Sequence, residues 1–191
     1  NIDGTEINGM GPDITADQVS ALREKINQLK AGDILVLAGS IPQSMPDTIY
    51  MDIMADLQDK GVEIAVDATR DLLGELFGVE LKTREEVVPY ARKLQEQGAR
   101  NVLVSMAGEG AVLIDENGRE YMSPVPKGKV VNAVGAGDSM VAGFIAGYLE
   151  KKDYEYAFHM GIASGSASAF SEQLATRAEV EALLKTIHSA G

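Results

Sequence analysis

Three short apolar runs, "DILVLAGS" (33–40), "VEIAVDA" (62–68) and "NVLVSM" (101–106), are separated by stretches with helical spacing. A continuous apolar run this short fits a strand covered on both faces. Strands that alternate with helices predict an α/β sandwich with a mostly parallel sheet. The helix signals are local. Thr15 and Gln18 fit a capping box, followed by an apolar stripe at Val19, Leu22, Ile26 and Leu29 that ends at Gly32. After the "IPQSMP" loop a second helix is expected from about Pro46 to Lys60. Thr83 and Glu86 form another box, opening a helix to about Gln97 that Pro89 should kink or restart. "GAVLIDENGREYMS" reads as a hairpin turning on Asn117-Gly118, and a short strand is expected near Lys129–Asn132. Helices follow at about 138–150 and 154–170. Thr176 and Glu179 cap a last one, which carries Val180, Leu183, Leu184 and Ile187. No internal repeat, low-complexity run or linker interrupts the series.

Composition removes several function classes. The net charge of −12 argues against nucleic acid or an anionic membrane as the main partner. The chain has no cysteine, so disulfides and thiolate metal sites are excluded. No apolar stretch is long enough to span a bilayer, and a cytoplasmic location is expected.

The stretch "VVNAVGAGDSMVAGFIAGY" (130–148) carries the chemistry. It leaves a predicted strand and enters a predicted helix, where ligands of open α/β sheets bind. Free amides at a helix start, with the positive end of the dipole behind them, attract anions. Glycine lets the anion approach the backbone. Asp138 then stands out, because a carboxylate beside an anion site repels the ligand. It makes sense as a general base that takes a proton from an attacking hydroxyl. As an ordinary helix cap it would need no ligand at all. The stretch lacks the lysine and hydroxyl residue of a P-loop. It also lacks G-x-G-x-x-G spacing, since Met140 stands three residues after Gly137.

The same residues, "NAVGAGDSMVAGFIAG", resemble the C-terminal signature of the pfkB, or ribokinase-like, carbohydrate kinases. "LVSMAGEGAVLI" (103–114) looks like that family's nucleotide segment, with Ser105, Gly108 and Gly110 in place. "LAGSIPQSMP" (37–46) is similar to a loop of its phosphosugar kinases, and 163–184 resembles the end of bacterial 1-phosphofructokinases and tagatose-6-phosphate kinases. The resemblance implies a three-layer ribokinase-like fold and phosphoryl transfer from ATP with Mg²⁺ to a hexose monophosphate. It implies that Gly135, Ala136 and Gly137 supply an amide hole and that Asp138 is the base. It places Ser105, Met106, Ala107, Gly108, Glu109 and Gly110 along the nucleotide, with Ser164 and Ser168 in the adenine wall. Gly39 and Ser40 would face the sugar. No metal ligand is assigned. His159 and His188 read as helix-packing or surface residues, and Arg70 as a solvated or anion-facing cation.

Two departures from the family pattern bear on organisation. The N-terminal strands and the lid, through which homodimers of the family form, have no counterpart, so residues 1–191 are expected to be the nucleotide-binding part of one domain. After Asp67 the family has another strand and an N-x-x-E motif, whereas "DATRDLLGELFGVEL" runs straight on. An omitted segment near residues 73–74 is expected.

Overall fold

The computed structural model describes residues 13–38, 44–46, 48–66 and 70–188. The chain divides into two compact units, Asn1–Asp67 and Ala68–Gly191.

The first unit is a βαβ arrangement with a preceding helix. Helix α1 (Ala16–Ile26) starts at the expected box, with the Thr15 hydroxyl accepting from the Gln18 amide and the Gln18 side chain accepting from the Thr15 amide. Strand β1 (Ile34–Leu37) pairs in parallel with β2 (Glu63–Val66), from Ile34 opposite Glu63 to Leu37 opposite Val66. Helix α2 (Ile49–Asp56) connects them and is shorter than expected. Ile26, Leu37, Ile49, Ile53 and Leu57 form the buried centre, joined by Leu35 and Ile64. Arg23 clamps Asp56 through two bonds of 2.7 and 2.6 Å, tying α1 to α2. The strands are not covered on both faces. Val36 and Val66 stay 44% and 43% exposed, because an apolar run records what can be buried rather than what is available to bury it.

The second unit is three-layered. Its strands β3 (Val102–Ser105), β4 (Ala111–Ile114) and β5 (Glu120–Ser123) form an antiparallel sheet in that order. Successive side chains of a strand point to opposite faces. Accordingly Val102, Val104, Val112 and Ile114 pack with Leu73, Leu81, Val87 and Ala91 on one side. These last four come from α3 (Arg70–Phe77), α4 (Arg84–Glu96) and the segment between them. Ala111 and Leu113 point the other way, onto Met140, Phe158 and Ile162 of α5 (Ala136–Lys151) and α6 (Tyr154–Ala169). Helix α7 (Arg177–His188) follows, with Glu179 accepting from the Thr176 amide at 2.7 Å.

Several local expectations are corrected. Pro89 lies inside α4 without moving its start, which Thr83 and Glu86 fix. The β4–β5 loop spans five residues, 115–119, instead of turning on Asn117-Gly118 alone. The Asp115 amide donates to the Arg119 carbonyl and the Gly118 amide to the Asp115 carbonyl, with Gly118 at φ 77°. That is a β-turn closed by a left-handed residue. Residues 129–132 are not a strand. The Val131 and Asn132 amides both donate to the carbonyl of Ala169, at 2.8 and 3.1 Å.

Candidate functional site

Helix α5 begins two residues earlier than expected, and the reason is Gly135. Its backbone is left-handed (φ 77°, ψ 4°), which glycine adopts without strain, and it occupies the N-cap position. A cap with no side chain leaves the first amides of the helix to other acceptors. Ala136 is the exception, since its amide donates to the Ala133 carbonyl at 3.2 Å. Among the described residues, the amides of Gly135, Gly137 and Asp138 have no acceptor. Of the three residues expected to form the hole, Gly135 and Gly137 thus keep an amide without an acceptor among the described residues and Ala136 does not, while the amide of Asp138 lies beside them without one. A Cβ on Gly137 would meet nothing within 4 Å, so packing does not demand a glycine there. The open space lies outside the fold, where a ligand would approach.

Asp138 is the third residue of the helix rather than its cap. Its side chain is exposed and has no hydrogen-bond or ion-pair partner among the described residues. It is thus available to a ligand hydroxyl.

The turn is held from behind. Asn132 accepts from the Val134 amide at 3.0 Å, and its side-chain nitrogen donates to the Glu172 carbonyl at 3.4 Å. This residue was missed in the sequence. The one local signal is an Asn two residues before a turn amide, the spacing of an Asx turn.

The segment expected to line a nucleotide sits at the end of β3. Ser105 is the last strand residue and is half-buried, while Met106 is buried. Residues Ala107–Glu109 form a single 3₁₀ turn with Ala107 at φ 47°. The amides of Met106, Glu109 and Gly110 are bonded to Gly110, Met106 and Ala107 carbonyls at 2.8–3.1 Å. Gly110 (φ 97°) runs so close to β5 that a Cβ would lie 2.0 Å from the Ser123 carbonyl oxygen. Gly108 and Glu109 are exposed. Ala111, directly after Gly110, shares a core cluster with Met140, two residues after Asp138. The end of this segment and the start of α5 are thereby fixed to the same packed layer.

Ser164 and Ser168 are both buried. Ser164 bonds back to the Met160 carbonyl at 2.8 Å. Ser168 donates to the Ser139 hydroxyl at 2.9 Å and accepts from the Ala175 amide at 3.1 Å. Both hydroxyls are thus bonded within the protein. Gly39 and Ser40 lie outside the described residues. No group of three or more His, Cys, Asp or Glu that could hold a metal occurs among the described residues. Magnesium in such sites is held largely by substrate phosphates with one or two carboxylates. No helix among the described residues is long and apolar enough to cross a membrane.

The model of the pfkB family carbohydrate kinases matches residues 65–181. A 1-phosphofructokinase of Bacillus subtilis is 44% identical, over 97% of this chain and 67% of that protein. A D-tagatose-1-phosphate kinase of Bacillus licheniformis is 27% identical, over 86% of this chain and 60% of its own length. The solved structure of phosphofructokinase-2 from Escherichia coli in complex with potassium superposes with a TM-score of 0.85. It is 23% identical and is matched over 92% of this chain and 64% of that one, which shows a shared fold. The chain spans about two thirds of the length of these proteins. The B. subtilis match runs over 203 positions but uses 97% of 191 residues, about 185, so about 18 positions have no residue here. The B. licheniformis match, 183 positions against 86% or about 164 residues, gives about 19.

Proposed function

Because this chain belongs to the pfkB family of carbohydrate kinases and has its ribokinase-like fold, we propose that it carries the phosphoryl-transfer part of an ATP-dependent hexose-phosphate kinase. The substrate read from the 44% identical relative is fructose 1-phosphate, giving fructose 1,6-bisphosphate. The observation that carries this reading is the start of α5: three amides without an acceptor among the described residues, beside an exposed, unpartnered carboxylate. The amides of Gly135, Gly137 and Asp138 would hold the transferring phosphoryl group, with the helix dipole opposing its charge. Asp138 would accept the proton of the attacking sugar hydroxyl in an in-line transfer with no covalent enzyme intermediate. Residues 105–110 would line the nucleotide. Magnesium would arrive with ATP and neutralise phosphate charge. A cytoplasmic protein that pairs through a lid contributed by the rest of the kinase fits this function.

Two other readings have specific support. The B. licheniformis relative favours a tagatose phosphate as acceptor. The unfilled positions inside the matched span favour nucleotide binding without transfer. A coupled ADP-release assay with fructose 1-phosphate, tagatose 1-phosphate and tagatose 6-phosphate separates all three. For a transferring enzyme, Asp138→Asn is expected to lower kcat by about 10²–10⁴-fold with ATP affinity preserved. Unchanged turnover in that variant removes Asp138 from the role of base. ATP binding with no turnover on any sugar identifies the binding module.

A further inference from the structure

The hydroxyl of Ser168 joins two segments that meet at the candidate site. It is 4% exposed and lies near the end of α6. It donates to Ser139, the residue after Asp138, and accepts from the amide of Ala175, which lies beyond the end of α6. Two further links run between the same segments. The Ala169 carbonyl accepts the amides of Val131 and Asn132, and the Asn132 side chain donates to Glu172. Leu174, 68% exposed, lies 3.0 Å from where a Cβ on Gly135 would stand. The turn at 131–139 and the loop at 170–175 are thus bonded into one body, and Ser168 is the buried side chain that holds both ends.

We propose that Ser168 is a positioning residue that couples the 170–175 loop to the phosphate-binding turn. The proposal rests on the reading of that turn as the phosphate site. A serine hydroxyl donates once and accepts twice. With Ser168 donating to it, the Ser139 hydroxyl keeps its own hydrogen for an acceptor outside the seam, beside Asp138. Removing the Ser168 oxygen leaves the Ala175 amide without its acceptor and the Ser139 hydroxyl free to rotate. The turn then loses its fixed register against α6.

The test measures binding of ATP and of adenosine by the 191-residue chain, as wild type, Ser168→Ala and Ser166→Ala. Ser166 is buried on the same helix and serves as the packing control. The expected result is an ATP affinity about tenfold weaker in Ser168→Ala, with adenosine affinity changed less than twofold and Ser166→Ala matching wild type. General loosening of the fold would weaken both ligands together, and that result overturns the proposal. ATP affinity within twofold of wild type in Ser168→Ala also overturns it. A wild-type chain that does not bind ATP overturns the reading of the turn itself and this proposal with it, so the two failures are told apart before any variant is compared. If Ser168→Ala does not fold, Ser139→Ala removes the acceptor of the same bond and is held to the same criterion.

Discussion

Asp115 is a buried carboxylate, 1% exposed, in the loop between β4 and β5. Burial alone would push its carboxyl up. The amides of Arg119 and Asn117 and the hydroxyl of Tyr121, at 2.8–3.0 Å, outweigh that and hold it below the usual carboxylate range. Glu116, held down by Arg100 and Tyr154, and Glu86, held down by the Lys82 and Thr83 amides, shift in the same direction. A carboxyl depressed by folding stabilises the native state above its unfolded value of about 4. That contribution disappears as the pH falls through the lower, folded value. Urea denaturation across a pH series should therefore show stability falling on acidification below about pH 4. Asp115→Asn is expected to cost about 1–3 kcal/mol at neutral pH and to make the acid limb shallower. An acid limb of unchanged slope in that variant would remove Asp115 from the account.

The packing of α5 on α6 depends on glycines whose substitution should reverse the usual helix rule. Alanine in place of glycine normally stabilises a helix by about 1 kcal/mol. A Cβ on Gly143 would stand 2.2 Å from the Ser164 hydroxyl oxygen and 2.8 Å from the Met160 carbonyl oxygen. Gly143→Ala is therefore expected to lower stability by about 1–3 kcal/mol in urea denaturation. A gain would mean that the helices are not in close contact. How far such features were legible depends on their range along the chain. The boxes at Thr15/Gln18 and Thr83/Glu86 join residues three apart, and the sequence displays both partners. The spacing of Ala142, Gly143, Ala146 and Gly147 puts small residues on one face of α5, but Ala142 and Ala146 are exposed while Gly143 and Gly147 are buried. Periodicity alone did not choose between the two edges of that face. Gly135 identified the turn, yet its left-handed cap moved the helix start to Ala136 and left the Asp138 amide among those without an acceptor. The bonds that stiffen the site, Ser139 to Ser168 and Asn132 to Glu172, join residues 29 and 40 positions apart. Only the packing of α5 on α6 brings these pairs together, so no local pattern announces them.

At the scale of the whole chain, the parallel sheet of the first unit ends at β2. Among the described residues this strand pairs with β1 alone, and Val66 is 43% exposed. The unpaired edge of a parallel strand leaves backbone groups unsatisfied and apolar surface in water. Helix α3 then runs without a break across residues 73 and 74. About 18 positions of the B. subtilis relative have no residue in this chain, and we propose that they fall there, where the family pattern expects another strand. Such a strand would cover apolar surface and complete backbone pairing. Inserting the corresponding segment of that relative between Leu73 and Gly74 is expected to raise the thermal midpoint by at least several degrees. It is also expected to raise ADP release with fructose 1-phosphate. A midpoint that stays or falls would locate the unfilled positions elsewhere. A higher midpoint without any gain in turnover would show that the segment completes the sheet but not the site.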